Sequence, residues 1–253
     1  MTTDTPLAGH RALVVGGSTG IGRGIADAWA AAGAEVVVCS RSRPTGPGAE
    51  ALRWQALDLT RPEQAHPRLY ELAAGPLKAV CFASVHYGAG RAPFSEVAEQ
   101  EWLDQLAVNT TGLWHTLAAS LPSLRTAAPG LFLGVSSEVA FNAGPGRSGY
   151  AATKAASKTL LDSVAQEEDS SAVRIVQVLP AGMVDSPGIR NRRPEDFDFS
   201  SYMKPSDFGA LARELAVTSG EKYHGDSLVV GGDGRWWSAY GAAPVSQSRS
   251  VRS

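Results

Sequence analysis

An apolar run, a glycine-rich turn, an alanine-rich amphipathic stretch, a glycine and a second apolar run follow one another in RALVVGGSTGIGRGIADAWAAAGAEVVVCSR, residues 11–41. That order reads as one β-α-β unit. Val36, Val37 and Val38 are apolar at successive positions, whereas a half-exposed strand would alternate. Unbroken hydrophobicity suits a parallel strand covered by helices on both faces. The opening of the chain therefore predicts a parallel sheet between two helical layers.

Further strand-like runs lie at 52–57, 77–83, 131–135, 174–179 and 227–230, with helix-compatible stretches between most of them. Seven strands alternating with helices predict a Rossmann-type, doubly wound α/β fold with a seven-stranded parallel sheet. At 253 residues, one domain over 1–240 is expected. Residues 41–50 form a Pro/Gly-rich loop. The irregular stretch at 183–205, rich in Arg, Pro, Asp and Phe, is the expected substrate lid. Residues 241–253 are small and polar and read as a flexible tail.

Charge narrows the partners. The formal net charge is −2, and the 23 basic residues are scattered, with no basic run or aromatic-interleaved patch, which argues against nucleic acid. No stretch approaches the ~20 apolar residues of a membrane span, and the start MTTDTPLAGHR lacks the apolar core of a signal peptide, so a cytoplasmic protein is expected. Cys39 and Cys81 end apolar runs and read as buried thiols with no disulfide. The five histidines show no ligand spacing, so no metal site is expected.

The turn Gly16-Gly17-Ser18-Thr19-Gly20-Ile21-Gly22 links the first strand to the first helix. Its glycines allow a tight turn and close backbone approach, and unpaired amides at a helix start attract a pyrophosphate. It does not fit G-x-G-x-x-G. At the end of the second strand, Rossmann proteins that bind NAD commonly carry an acidic residue for the ribose hydroxyls. Ser40 and Arg41 stand there. A guanidinium can bond a 2′-phosphate that a carboxylate would repel, and the serine offers another donor, so NADP(H) is favoured over NAD(H). The alternative is that Arg41 and Arg43 only solvate a surface loop.

Tyr150 and Lys154 lie four apart in YAATKAASKTLLDSVAQ, a helix-compatible segment, so both side chains emerge on one face. An isolated tyrosine titrates near ~10, and a neighbouring ammonium favours the phenolate, which brings proton exchange nearer neutral pH.

Together these residues resemble the short-chain dehydrogenase/reductase family. Glycines at 16, 20 and 22 match its TGxxxGxG loop, with Val15 in place of Thr. Ser137, 13 residues before Tyr150, and Lys154 match its Ser-Tyr-Lys triad, and Asn109 matches its fourth catalytic position. The resemblance spans nearly the whole chain. It implies that Ser137 hydrogen-bonds a substrate carbonyl, Tyr150 donates the proton, Lys154 holds the nicotinamide ribose and lowers the tyrosine's pKa, and Asn109 helps hold a relay water. Gly16, Ser18, Thr19, Gly20, Ile21, Gly22, Ser40, Arg41, the Asp58-Leu59 pair, Ala83, Asn109, Tyr150 and Lys154 would bind the cofactor. His86, Tyr87, Glu138, Phe141 and Met183 would border the substrate, and a homo-dimer or homo-tetramer is implied.

Three segments depart from the family. Its NNAG is Cys81-Phe82-Ala83-Ser84 here. Its Pro-Gly-hydrophobic-Thr is Pro180-Ala181-Gly182-Met183-Val184-Asp185-Ser186, with Val184 and Ser186 as best matches. Gly231-Gly232 replaces Asp-Gly near the end. Arg190, Arg192 and Arg193 read either as a charged, solvated face or as contacts for an anionic substrate group, and Trp236 and Trp237 as pocket closure or subunit contact. The function expected is an NADPH-dependent ketoreductase acting on a small carbonyl substrate. Alternatives are an alcohol dehydrogenase working oxidatively and a non-catalytic dinucleotide sensor, which would normally have lost Tyr150 or Lys154. A sugar epimerase or dehydratase is opposed by the glycine spacing and the length.

Overall fold

The computed structural model of the chain describes residues 5–241. Eight strands form one sheet in the order β3-β2-β1-β4-β5-β6-β7-β8. They are β1 (Arg11–Val15), β2 (Glu35–Ser40), β3 (Leu52–Ala56), β4 (Ala79–Phe82), β5 (Gly130–Val135), β6 (Val173–Pro180), β7 (Ser227–Val230) and β8 (Trp236–Ser238). The first seven pair in parallel, and the expected doubly wound sheet is present.

The count differs by one strand. The turn through Gly231 and Gly234 folds the chain back, so that β8 pairs antiparallel with β7, Val230 opposite Trp236 and Leu228 opposite Ser238. A three-residue strand is too short for its period to be read, and an antiparallel edge on a parallel sheet is a common addition. Trp236 and Trp237 lie in that edge strand. Trp236 donates through Nε1 to the Tyr223 hydroxyl at 3.2 Å, while Trp237 is exposed. The expected tail falls outside the described residues from 242 onward.

Strand sequence numbering reverses between β1 and β4, which opens the ligand crevice of such sheets at the strand carboxyl ends. One face of the sheet packs α1 (Gly20–Ala31) and α8 (Gly209–Thr218). The fully buried Trp29 indole of α1 donates to Ala212 O of α8 at 2.8 Å, tying the two together. The other face packs α2 (Pro62–Ala73), α4 (Gly112–Thr126) and α6 (Ser148–Glu167) over Phe132, Leu69 and Leu117. Each such buried side chain contributes about 1.5–3 kcal/mol of hydrophobic stabilisation. Cys39 and Cys81 are both buried free thiols, as expected.

α4 continues a helix that begins with α3 (Glu99–Gln105). Between them Leu106–Thr111 winds as a π-helix, a local widening found most often at functional positions. It carries Asn109. Two short α-helices among the described residues are α5 (Val139–Asn142), just after β5, and α7 (Pro187–Arg190), in the stretch after β6. No helix among the described residues is long and apolar enough to cross a membrane.

Candidate active site

β1 ends at Val15, and the Gly16 amide bonds Cys39 O of β2 at 2.7 Å, so the turn starts pinned to the sheet. Gly16 has φ +91°, and a Cβ there would lie 2.4 Å from the Ser84 backbone nitrogen. A Cβ on Gly22 would lie 2.3 Å from Gly16 O and 2.7 Å from the Ala83 methyl. Neither position has room for a side chain. The first amide bonded back into α1 is that of Arg23, to Thr19 O at 3.2 Å, and Thr19 makes no side-chain cap. Amides of Gly20, Ile21 and Gly22 thus head the helix free of backbone partners, suited to an anion.

Beside this cradle, the end of β2 is partly as expected. Ser40 Oγ donates to Ser42 O at 2.9 Å and accepts from Trp54 Nε1 at 3.2 Å. Both bonds shape the loop that follows β2. Arg41 is exposed, and Arg43 stacks over Trp54 at 5.2 Å. Arg23 holds the following loop to α1 by donating to Thr45 O and Pro47 O. Asp58 accepts from the amide and hydroxyl of Thr60, closing its own turn. Burial works to raise its pKa, but the Thr60 bonds, Arg41 and Arg61 hold the carboxyl below its usual range. Leu59 is buried and faces Gly112.

Opposite the cradle, β5 delivers Ser136 and Ser137, and α6 delivers Tyr150 and Lys154 one helical turn apart. Tyr150 packs its ring 5.2 Å from that of Tyr87. Burial, foremost, and then Tyr87 push the Tyr150 phenol well above its ordinary range; Glu138 acts the same way, while Ser137 and Arg147 act against it. Lys154 turns to the sheet and donates to Val135 O at 2.9 Å. Burial holds the Lys154 ammonium down at about 8.

Lys154, Asn109, Ser136, Ser157 and Gln177 border a cavity of about 10 Å³, and Ser136 Oγ and Gln177 Oε1 are buried there without a partner. A space of that size with several polar walls suits one water. The Asn109 side chain is engaged with the loop after β4. Its Oδ1 accepts from the His86 amide at 2.7 Å, and its Nδ2 donates to His86 O and Thr153 Oγ1, both at 3.0 Å. The side chain clamps the His86 peptide and so sets the chain leading to Tyr87.

After β6, Asp185 N bonds Met203 O at 2.8 Å, and Met203 N bonds Met183 O at 2.9 Å. Val184 is buried in the core, so only its backbone is available to a ligand. Ser186 faces the phosphate turn, its Cβ 3.4 Å from where a Gly20 Cβ would stand. Met183 is exposed. Phe141 does not join Tyr87 and Tyr150; it packs on Tyr240 and beneath Lys158.

The three lid arginines are all engaged. Arg190 forks onto Asp185 at 2.6 and 2.7 Å and stacks on Phe199, and Arg193 donates to the Tyr202 hydroxyl at 3.1 Å. Arg192 donates to Gly88 O and lies 5.0 Å over Tyr87. Residues that sequence reasoning passed over are Arg147, Gln177 and this use of Arg192; a polar glutamine inside the apolar run of β6 was the one visible signal.

The family model described as short chain dehydrogenase matches residues 10–196. The 2,5-dichloro-2,5-cyclohexadiene-1,4-diol dehydrogenase LinX of Sphingobium indicum is 28% identical over 247 residues, spanning 91% of this chain and 97% of that one. A 3-alpha-(or 20-beta)-hydroxysteroid dehydrogenase of Mycobacterium bovis is 29% identical over 258 residues, spanning 95% and 96%. Among solved structures, a Beutenbergia cavernae protein with NADP bound at low occupancy superimposes with a TM-score of 0.76 at 27% identity, covering 91% of this chain and 98% of that one.

Proposed function

The chain belongs to the short chain dehydrogenase family, whose members are oxidoreductases acting on carbinol or carbonyl groups, and on that premise we propose that it is an NADPH-dependent carbonyl reductase with Tyr150 as general acid. The observation that carries the reading is the crevice itself. A backbone-walled cradle at the end of β1 lies at the same edge of the sheet as a half-buried tyrosine and a buried lysine beside the end of β5.

The residues present fit a dinucleotide. Gly16 and Gly22 let the turn pack tightly against Ser84, Ala83 and itself, and the amides of Gly20, Ile21 and Gly22, with Ser18 and Thr19, would hold the pyrophosphate. Arg41 would hold a 2′-phosphate, Asp58 and Leu59 the adenine side, Ala83 the central crevice, Lys154 the nicotinamide ribose, and Val184 backbone and Ser186 the carboxamide. The NADP in the Beutenbergia cavernae relative supports this choice. When bound, the reduced nicotinamide supplies the hydride.

The Tyr150 phenol, pushed up by burial, carries its proton at neutral pH and has it to give to the developing alkoxide. Ser137 stands beside it at the carbonyl oxygen. Asn109 fixes the His86–Tyr87 backbone, so Tyr87 forms a wall against the catalytic ring. The stretch 183–205 closes the substrate side, latched through Arg192 to Gly88 and Tyr87. Working as a homo-oligomer is part of the same proposal, with Leu103 and Trp114 exposed on the helices flanking Asn109.

The test compares thermal stabilisation by NADPH and NADH, then follows nicotinamide absorbance over a panel of ketones and quinones. Preferential stabilisation by NADPH and its oxidation by some member are expected. Tight NADPH binding without turnover across a broad panel would favour a sensor. The names of the Sphingobium and Mycobacterium relatives support a second reading, oxidation of an alcohol by the same residues.

A further inference from the structure

Ser137 has one hydroxyl hydrogen to give, and Glu138 takes it: Ser137 Oγ donates to Glu138 Oε2 at 2.7 Å. The other carboxylate oxygen, Oε1, accepts from Arg147 Nη1 at 3.0 Å. Arg147 also donates through Nη2 to Ala143 O at 2.9 Å, so one guanidinium spans both ends of α5. The turn it spans is strained. Ala143 holds φ +54° and ψ −97°, a conformation that an L side chain rarely adopts, and a Cβ on Gly144 would lie 2.4 Å from Arg147 Nη2. Backbone strain of this kind persists only where surrounding contacts enforce it. Here the contacts converge on Glu138.

We infer that Glu138 is a positioning residue: its carboxylate fixes which way the Ser137 hydroxyl points, and Arg147 with the strained turn holds the carboxylate in place. In this resting geometry the Ser137 hydrogen rests on Glu138, which holds the hydroxyl beside Tyr150, and it turns to the substrate oxygen when one enters. The pair also acts through space. The Glu138 carboxylate favours the protonated phenol, and the Arg147 guanidinium opposes it. Other charged or titratable groups around the phenol are Tyr87, Lys154 on α6, Cys81 at the end of β4, and Arg192 reaching Tyr87 from the stretch after β6.

This inference rests on the proposed reductase activity, and its test separates the two. Tyr150→Phe abolishing turnover upholds the reading whatever Glu138 does. For Glu138, kcat/KM for ketone reduction is measured against pH in the wild type, Glu138→Gln and Arg147→Met, with folding checked by thermal unfolding. Removing the carboxylate should move the alkaline fall in rate to lower pH, and removing the guanidinium should move it to higher pH. Opposite shifts of that kind do not follow from loosened packing. A double-mutant cycle adds Ser137→Ala: Glu138→Gln should cost about tenfold in kcat/KM alone and nearly nothing once Ser137 is alanine. A readout independent of turnover is the tyrosine 13Cζ resonance missing from Tyr150→Phe, which should begin to titrate at lower pH in Glu138→Gln. Additive costs with an unmoved pH profile and an unmoved resonance overturn the inference. A rise in KM alone does so too, and makes Glu138 a substrate contact instead.

Discussion

At the carboxyl end of β1 the site is shaped by backbone: Gly16 and Gly22 stand where a Cβ would strike Ser84 N and Gly16 O. At the carboxyl end of β5 it is shaped by side chains, the Ser137–Glu138–Arg147 chain, the Asn109 clamp and the Tyr87–Arg192 stack. Backbone walls admit one residue type, so their positions can be read from glycines alone. Side-chain walls admit many solutions, and the partner that makes each one work lies elsewhere in the chain. The first wall accordingly is intolerant of small changes, and the second is tunable.

Gly16→Ala should break the backbone wall outright. The positive φ and the 2.4 Å approach to Ser84 N together cost about 2–4 kcal/mol, and thermal stabilisation by NADPH should vanish. On the other wall, a side-chain change can even stabilise. Lys154 is held at about 8, against an ordinary lysine value of 10.5, by burial. Below pH 8 both folded and unfolded chains carry the proton, so the folded state bears the full penalty; it fades as pH rises from 8 to 10.5. Lys154→Met should therefore raise unfolding stability at pH 7 by at most about 3 kcal/mol, less whatever Val135 O loses, with a smaller gain at pH 9.5. Urea unfolding at both values checks the sign.

Arg41→Asp adds a side-chain determinant to the backbone wall. It should lower the ratio of NADPH to NADH efficiency about 10- to 100-fold, since a charge-assisted bond is exchanged for repulsion. Steady-state kinetics with both cofactors read this, and an unchanged ratio would return Arg41 to the role of a solvated surface residue. Smallest of all, Arg192→Leu should raise the KM for ketone about threefold, with kcat little changed, because it loosens the latch on Gly88 and Tyr87 but leaves the reacting groups in place.

Much of the fold was legible. Unbroken valines at 36–38 foretold a strand covered on both faces, and Val36 and Val38 are buried in the core on one face and Val37 in the core on the other. The glycine spacing placed the cradle, and Tyr150 and Lys154 share a helix face as their spacing requires. What escaped reading depended on directions that a sequence does not encode. Ser40 carries the right atom but gives its hydrogen to Ser42 O, and Asn109 spends its amide on the His86 peptide. Lys154 donates to Val135 O, and burial, foremost, pushes the Tyr150 phenol up. The eighth strand escaped because three residues carry no period.

The most direct measurement is single-turnover reduction of an active ketone by NADPH in the wild type and in Tyr150→Phe, which keeps the ring against Tyr87 and removes only the acid. Loss of about 10²–10⁴-fold in rate, with NADPH affinity preserved, is the predicted result. An undiminished rate in the phenylalanine variant would contradict proton donation by Tyr150.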